Sequence, residues 1–147
     1  MSGAPAVRMA QQADLQTLCE LDPIACMDPS RRERLARGVA AEEIRLVEMD
    51  GGIVGYALMA RSFFERPFIE LVMIDPACRG RGIGLLLIRS LEADCASGRI
   101  FTSTNESNAH MRHVLEKLGY EPSGIVHHLD PGDPEIIYSK ALHGVER

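Results

Sequence analysis

The sequence predicts one α/β domain, a twisted mixed β-sheet of about six or seven strands flanked by about four helices, and three observations carry that expectation. Two β-rich runs, Ile44 to Met49 and Ile53 to Ala60, are separated by Asp50-Gly51-Gly52, a strong hairpin signal. A glycine-rich turn, Cys78 to Gly84, joins an apolar strand-like run, Phe68 to Ile74, to an apolar helix-like run, Leu85 to Cys95. Near the end, Ile125 to Leu129 and Ile136 to Ala141 flank Asp130-Pro131-Gly132-Asp133-Pro134-Glu135, whose Pro-Gly pair favours a turn. A chain of 147 residues that is 46% hydrophobic can bury one core and needs no second domain, so the domain is expected to span 1–147.

In order, Ala6 to Ala10 is expected as a first strand. Asp14 to Leu21 follows as a helix, because Leu15, Leu18 and Leu21 recur at helix spacing. Asp22-Pro23 and Asp28-Pro29 punctuate the chain before a second helix from Ser30 to about Ala41. Its Arg31, Arg32, Arg34 and Arg37 make a solvated charged face. After the hairpin, Phe63, Phe64 and Phe68 crowd the connection to the next strand, either as packing or as an apolar wall beside a substrate; Phe64 is the one expected to meet substrate. In the helix after the glycine-rich turn, Ile83, Leu87, Leu91 and Cys95 form one stripe, with Gly98 as a terminator. Arg99 to Ser103 reads as a strand. Met111, Val114, Leu115 and Leu118 then mark a helix closed by Gly119 at its C′ position.

A net charge of -5 opposes a polyanion binder, so no nucleic-acid partner is expected. No apolar run approaches membrane-spanning length and Met1 to Ala10 lacks a long apolar signal core, which leads to the expectation of a cytoplasmic protein with no membrane partner. Cys19, Cys26, Cys78 and Cys95 form neither a CxxC pair nor a zinc set and are expected as free thiols. His110 and His113 lie one helical turn apart but lack a third ligand, and no metal is expected. His127 and His128 read as consecutive strand residues facing opposite sides.

The glycine-rich turn carries the function. Small residues and free N–H groups where a helix begins are how a protein holds a phosphate. A Walker loop would end in Gly-Lys-Ser/Thr, whereas Leu85 and Leu86 follow Gly84, so ATP or GTP hydrolysis loses its support. A dinucleotide fingerprint would place its third glycine at Leu85 and would open the first βαβ unit rather than lie mid-chain. What remains is Arg79-x-x-Gly82-x-Gly84, preceded by Val72-Met73-Ile74-Asp75-Pro76. Downstream come Phe101 to Asn108 and then Leu118-Gly119-Tyr120.

These three segments, in this order, resemble the pyrophosphate loop, the central strand with its Val/Ile-x-Pro exit, and the Asn-led helix of the GCN5-related N-acetyltransferases, the GNAT superfamily. The resemblance spans roughly the whole chain and implies the GNAT fold, acetyl-CoA as cofactor and direct acetyl transfer to a small-molecule or peptide amine acceptor. It also leaves room for a homodimer. It implies that Val72, Met73 and Ile74 pair with the pantetheine arm and polarise the thioester, that Arg79, Gly80, Arg81, Gly82, Ile83, Gly84 and Leu85 hold the pyrophosphate, and that Asn108 touches the cofactor.

Three readings stay open beside it. Asn108 is either a cofactor contact or a helix cap shared with Asn105 or Ser107. Glu70 shares a strand face with Val72 and Ile74, as either the base for the amine or a surface ion-pair partner. Asp130 and Asp133 either attract a cationic substrate or build the turn. At the place where many family members carry a general-acid tyrosine, this chain has Leu115. That departure motivates the rival reading, a CoA-binding regulator without chemistry. Cys78 adjoins Arg79 and a helix start, which favours a thiolate, but no Cys/His motif surrounds it and the direct route is preferred to an acyl-Cys.

Overall fold

The computed structural model describes residues 3–95 and 98–142. Seven strands form one sheet in the order β1-β2-β3-β4-β5-β7-β6. They are β1 (Ala6–Met9), β2 (Ile44–Met49), β3 (Gly52–Phe63), β4 (Arg66–Ile74), β5 (Arg99–Asn105), β6 (Glu121–Val126) and β7 (Glu135–Ala141). The helices are α1 (Leu15–Leu21), α2 (Pro29–Ala40), α3 (Ile83–Ala93) and α4 (Ala109–Lys117). The sheet is mixed: β4 and β5 run parallel, whereas β1–β2, β2–β3, β5–β7 and β6–β7 are antiparallel. By contact density the chain divides into two compact units, Met1–Met59 with Leu71–Leu91, and Ala60–Glu70 with Glu92–Arg147. β3 and β4 contribute residues to both.

In the first unit, β2 and β3 meet at Met49↔Gly52, so the hairpin loop is the two residues Asp50 and Gly51, with φ of 55° and 81°. Both central residues with positive φ define a type I′ turn, which matches the twist of paired strands and explains the Asp-Gly pair. On α3, Ile83, Leu87 and Leu91 are buried as expected from their spacing. Each apolar side chain of this size stabilises the fold by about 1.5–3 kcal/mol when fully buried. Close approach at the start of α3 depends on Gly55 in β3. A Cβ there would come within 2.9 Å of Ile74 Cδ1, 3.0 Å of the Met73 carbonyl and 3.3 Å of Ile83 Cγ2. The same strand end is pinned by a 2.9 Å bond from the Asp75 N–H to the Val54 carbonyl.

Asp22, buried with 0% exposure, anchors the end of α1. It accepts from the Tyr56 hydroxyl at 2.8 Å, Arg31 Nη1 at 2.8 Å and the Ile24 N–H at 2.9 Å. Burial pushes its carboxyl up, but these bonds outweigh burial and hold it below the ordinary range. The Asp-Pro step at this position reads only as punctuation in the sequence; its structural role needs Tyr56 from a strand 34 residues away.

In the second unit, α4 ends in a Schellman motif. Gly119 has φ 95°, its N–H donates to the Glu116 carbonyl, and the Tyr120 N–H reaches back to Leu115. Leu115 is buried and Tyr120 donates to Glu92 at 2.8 Å. Two expectations are corrected here. α3 stops at Ala93, so Gly98 does not cap it; Gly98 instead has φ 95° and accepts from the Leu142 N–H. The penultimate strand is Glu121–Val126 rather than Ile125 to Leu129, because pairing with β7 from Glu121↔Ser139 to Val126↔Glu135 overrides the weak strand preference of Pro122, Ser123 and Gly124.

Candidate active site

Between β4 and α3 the chain first makes a single 3-10 turn, Pro76–Cys78, capped by the Asp75 carboxylate accepting from the Ala77 N–H at 3.0 Å. It then passes through Arg79, Gly80, Arg81 and Gly82, all exposed. Gly80 and Gly82 have φ of 81° and 76°, a left-handed backbone that favours glycine at both. Gly84 differs. Its φ is unexceptional and a Cβ built on it meets nothing within 4 Å, so neither conformation nor packing accounts for a glycine there.

The first helical bond of α3 runs from the Leu86 N–H to the Gly82 carbonyl at 3.0 Å. Helix geometry therefore leaves the N–H groups of Ile83, Gly84 and Leu85 without an intrahelical acceptor. Ile83 buries its side chain and offers only its backbone; Gly84 and Leu85 are half-buried. From Pro76 through Leu91 the chain has no acidic residue, and Arg79 and Arg81 stand beside the donors. Open space, orphan donors, a helix N-terminus and two guanidinium groups fit a pyrophosphate.

β4 carries the rest of the predicted set. Val72, Met73 and Ile74 lie at its end, each half-buried. β4 pairs with β5 at Phe68↔Phe101 and Ile69↔Thr102, and Glu70 follows the last of these pairs. The half-buried Glu70 accepts from the Ser62 hydroxyl at 2.8 Å, a partner that sequence reading missed. Phe64 stands at the tip of the β3–β4 hairpin, 78% exposed, where Phe64 and Glu65 have φ of 51° and 65°. Positive φ at a bulky residue costs on the order of 1–3 kcal/mol. Nothing in Phe64-Glu65 looks like a turn pair, so β3 runs three residues past its expected end at Ala60.

Asn108 is the N-cap of α4, its side-chain oxygen accepting from the Met111 N–H at 3.1 Å; it caps the helix itself and does not share the role with Asn105 or Ser107. Those two residues belong to a separate junction. Asp133 accepts from the Ser107 N–H at 3.1 Å and the Ser107 hydroxyl at 2.6 Å, while Asn105 Nδ2 donates to Asp130 at 2.9 Å and to the Asp133 carbonyl at 3.3 Å. Asp130 and Asp133 thus fasten the β6–β7 connection to the β5–α4 connection. His127 and His128 lie beyond β6, not within a strand, and both line one pocket with Asp130, Gly132, Asp133 and Pro134.

The cysteines are free thiols; burial pushes Cys19 and Cys95 up. Cys78 is half-buried in its 3-10 turn. Among the described residues, no three His, Cys, Asp or Glu side chains converge on a metal-sized site, and no helix is long and apolar enough to cross a membrane.

In this mixed seven-stranded sheet the fourth strand leads through a glycine turn into the N-terminus of α3. Residues 10–120 match the acetyltransferase (GNAT) family model, and the chain belongs to that family, a family of N-acetyltransferases whose cofactor is acetyl-CoA. A GNAT-family acetyltransferase from Bacillus cereus is 32% identical and superposes with a TM-score of 0.89, covering 97% of this chain and 100% of its own. A Salmonella typhimurium protein solved with its cofactor acetyl-CoA shares the fold at 22% identity and a TM-score of 0.78, covering 97% of this chain and 96% of its own. An uncharacterized protein of Mycobacterium leprae is 32% identical over 76 residues, which is 50% of this chain but only 21% of that longer protein.

Proposed function

We propose that this chain is an acetyl-CoA-dependent N-acetyltransferase, a single catalytic domain over 1–147, that moves an acetyl group directly to a primary amine in the cytoplasm. The observation that carries it is Gly84, a glycine that the fold does not require, whose N–H is the middle one of three helix-start donors without an intrahelical acceptor. In this reading the backbone from Gly80 to Leu85, with Arg79 and Arg81, holds the pyrophosphate, each charge-assisted bond contributing about 1.5–3 kcal/mol. Val72, Met73 and Ile74 present the β4 backbone to the pantetheine arm, and Asn108 keeps one amide group for the cofactor beside its capping bond. When bound, acetyl-CoA supplies the acetyl thioester, whose C–S bond is exchanged for an amide C–N bond as the amine gives up its proton and the thiolate leaves. Glu70, oriented by Ser62, takes that proton. With Leu115 in the core, departure of the thiolate relies on the low pKa of a thiol, roughly 8.5, rather than on a dedicated acid.

Leu115 also favours the second reading, a CoA-binding regulator. Two measurements separate the possibilities. CoA at about 100 times its Kd should stabilise the fold by about 2.7 kcal/mol, and thiol release should follow when acetyl-CoA and an amine are supplied. A thermal shift without thiol release across an amine panel selects the regulator, and no shift rejects both readings. Glu70→Gln should lower kcat by about 10²–10⁴-fold near neutral pH and recover where the free amine predominates, while Cys78→Ala should leave the chemical step unchanged. An inactive but folded Cys78→Ala protein with normal CoA affinity would overturn direct transfer.

A further inference from the structure

The chain has four phenylalanines and no tryptophan, and all four phenylalanines meet in one place without any being fully buried. Phe63 is at the centre: its ring lies 4.9 Å from Phe64 edge-on, 5.3 Å from Phe68 in a stack and 5.0 Å from Phe101. The core is filled instead by aliphatic side chains and tyrosines. An aromatic cluster is ordinarily the first thing a core of this size would cover.

The sheet register shows what shares that face. Phe68 and Phe101 are direct partners, so their side chains stand on the same side. Alternation puts Ser103, two residues beyond Phe101, on that side as well, and Glu70, two residues beyond Phe68, is bonded to Ser62, the chain neighbour of Phe63. Ser103 donates to Glu135 at 2.7 Å, as Ser62 does to Glu70 at 2.8 Å. An aromatic surface is thus bordered by two half-buried carboxylates, each held by a serine hydroxyl. Phe64 extends the surface into solvent in a left-handed conformation that asparagine or glycine would adopt more readily.

We infer that this face receives the acceptor, and that the acceptor is a primary amine, positively charged in solution, with an apolar ring-sized group a few bonds from its nitrogen. The phenylalanines cover the apolar group and the carboxylates of Glu70 and Glu135 attract the ammonium. This inference rests on the proposed acetyl transfer for its chemistry but makes its own claim about binding. Two sources offer such a group, a free arylalkylamine and a peptide with an aromatic N-terminal residue.

The test compares 2-phenylethylamine, propylamine and a short peptide with N-terminal phenylalanine, on the CoA-loaded protein by saturation-transfer NMR and with acetyl-CoA by thiol release. Saturation transfer to the ring protons of 2-phenylethylamine or the peptide is expected, and kcat/KM at least tenfold above that for propylamine. The better of the two names the source. Phe101→Leu and Phe64→Asn should each cut that preference at least fivefold while the CoA-induced thermal shift stays unchanged, Phe64→Asn even relaxing its turn. Equal turnover of the aromatic and propyl amines, or a preference that survives both substitutions, overturns the inference. If CoA fails to shift the melting temperature, the acetyltransferase reading falls; absence of ring-proton saturation transfer overturns the inference even where transfer to other amines succeeds.

Discussion

The glycine turn after β4 and the junction of Asn105, Ser107, Asp130 and Asp133 are both polar, both built on short loops and both flagged by sequence, yet they are opposite in kind. At the junction the side-chain donors have found acceptors within the chain: Ser107 gives both its N–H and its hydroxyl to Asp133, and Asn105 spans Asp130 and Asp133. At the glycine turn the donors of Ile83, Gly84 and Leu85 lie at a helix start with no intrahelical acceptor, and the Cβ positions of Gly80, Gly82 and Gly84 are open. Polar residues that satisfy one another hold a fold together; helix-start donors with no acceptor in the helix stay open to water or to a ligand.

The sharpest way to break this contrast is Gly84→Asp. A carboxylate at the second residue of α3 complements the helix dipole and should leave the fold unchanged or stabilise it by ~0.3–1 kcal/mol, while CoA affinity falls by at least about 100-fold, roughly 2.8 kcal/mol at 1.4 kcal/mol per decade. Melting curves with and without CoA read both effects, and a variant that keeps its CoA shift removes the loop from the site. Next in size, Asp133→Ala should cost about 1–2 kcal/mol of stability through its two lost hydrogen bonds, seen as a lower denaturation midpoint, with CoA affinity unaltered. If instead stability holds and the KM of a cationic amine rises at low salt, Asp133 serves substrate rather than the turn. Gly84→Ala should weaken CoA by roughly tenfold with no loss of stability, since alanine is the better helix former; isothermal titration measures it.

The smallest effect concerns acid. Arg8 holds Asp14 below the ordinary carboxylate range by hydrogen bonding, and Asp22 is also depressed. A depressed folded pKa contributes stability that is present above the unfolded value, about 3.9, and is lost as pH falls through the folded one. Melting temperature should therefore change little between about pH 7 and 5 on account of these groups and fall below about pH 4. The glycine turn, with no carboxylate from Pro76 through Leu91, should add nothing to that fall.

Features written in local chemistry were legible. Asp50-Gly51 announces its turn, Gly119 its helix end, and β2 appears with the bounds read for it, because each depends on a few adjacent residues. The glycine turn was legible for the same reason. What the sequence hid depends on distant partners. Phe64-Glu65 turns the chain without a turn residue, Pro122 to Gly124 becomes strand only because β7 lies alongside, and Asp22 is read as a break until Tyr56 arrives to bury it. Ser62 and Ser103, the hydroxyls that hold Glu70 and Glu135, carry no local signature at all.

Two of the three tyrosines, Tyr56 and Tyr120, are pushed well above the ordinary phenol range, first by burial and then by hydrogen bonds to Asp22 and Glu92. A raised folded pKa adds stability that is complete below the unfolded value near 10 and drains away as the solution becomes more alkaline. With no tryptophan to mask it, tyrosinate absorbance becomes a built-in optical gauge of this molecule. In alkali those two phenols should ionise together, and only as the chain around them lets go.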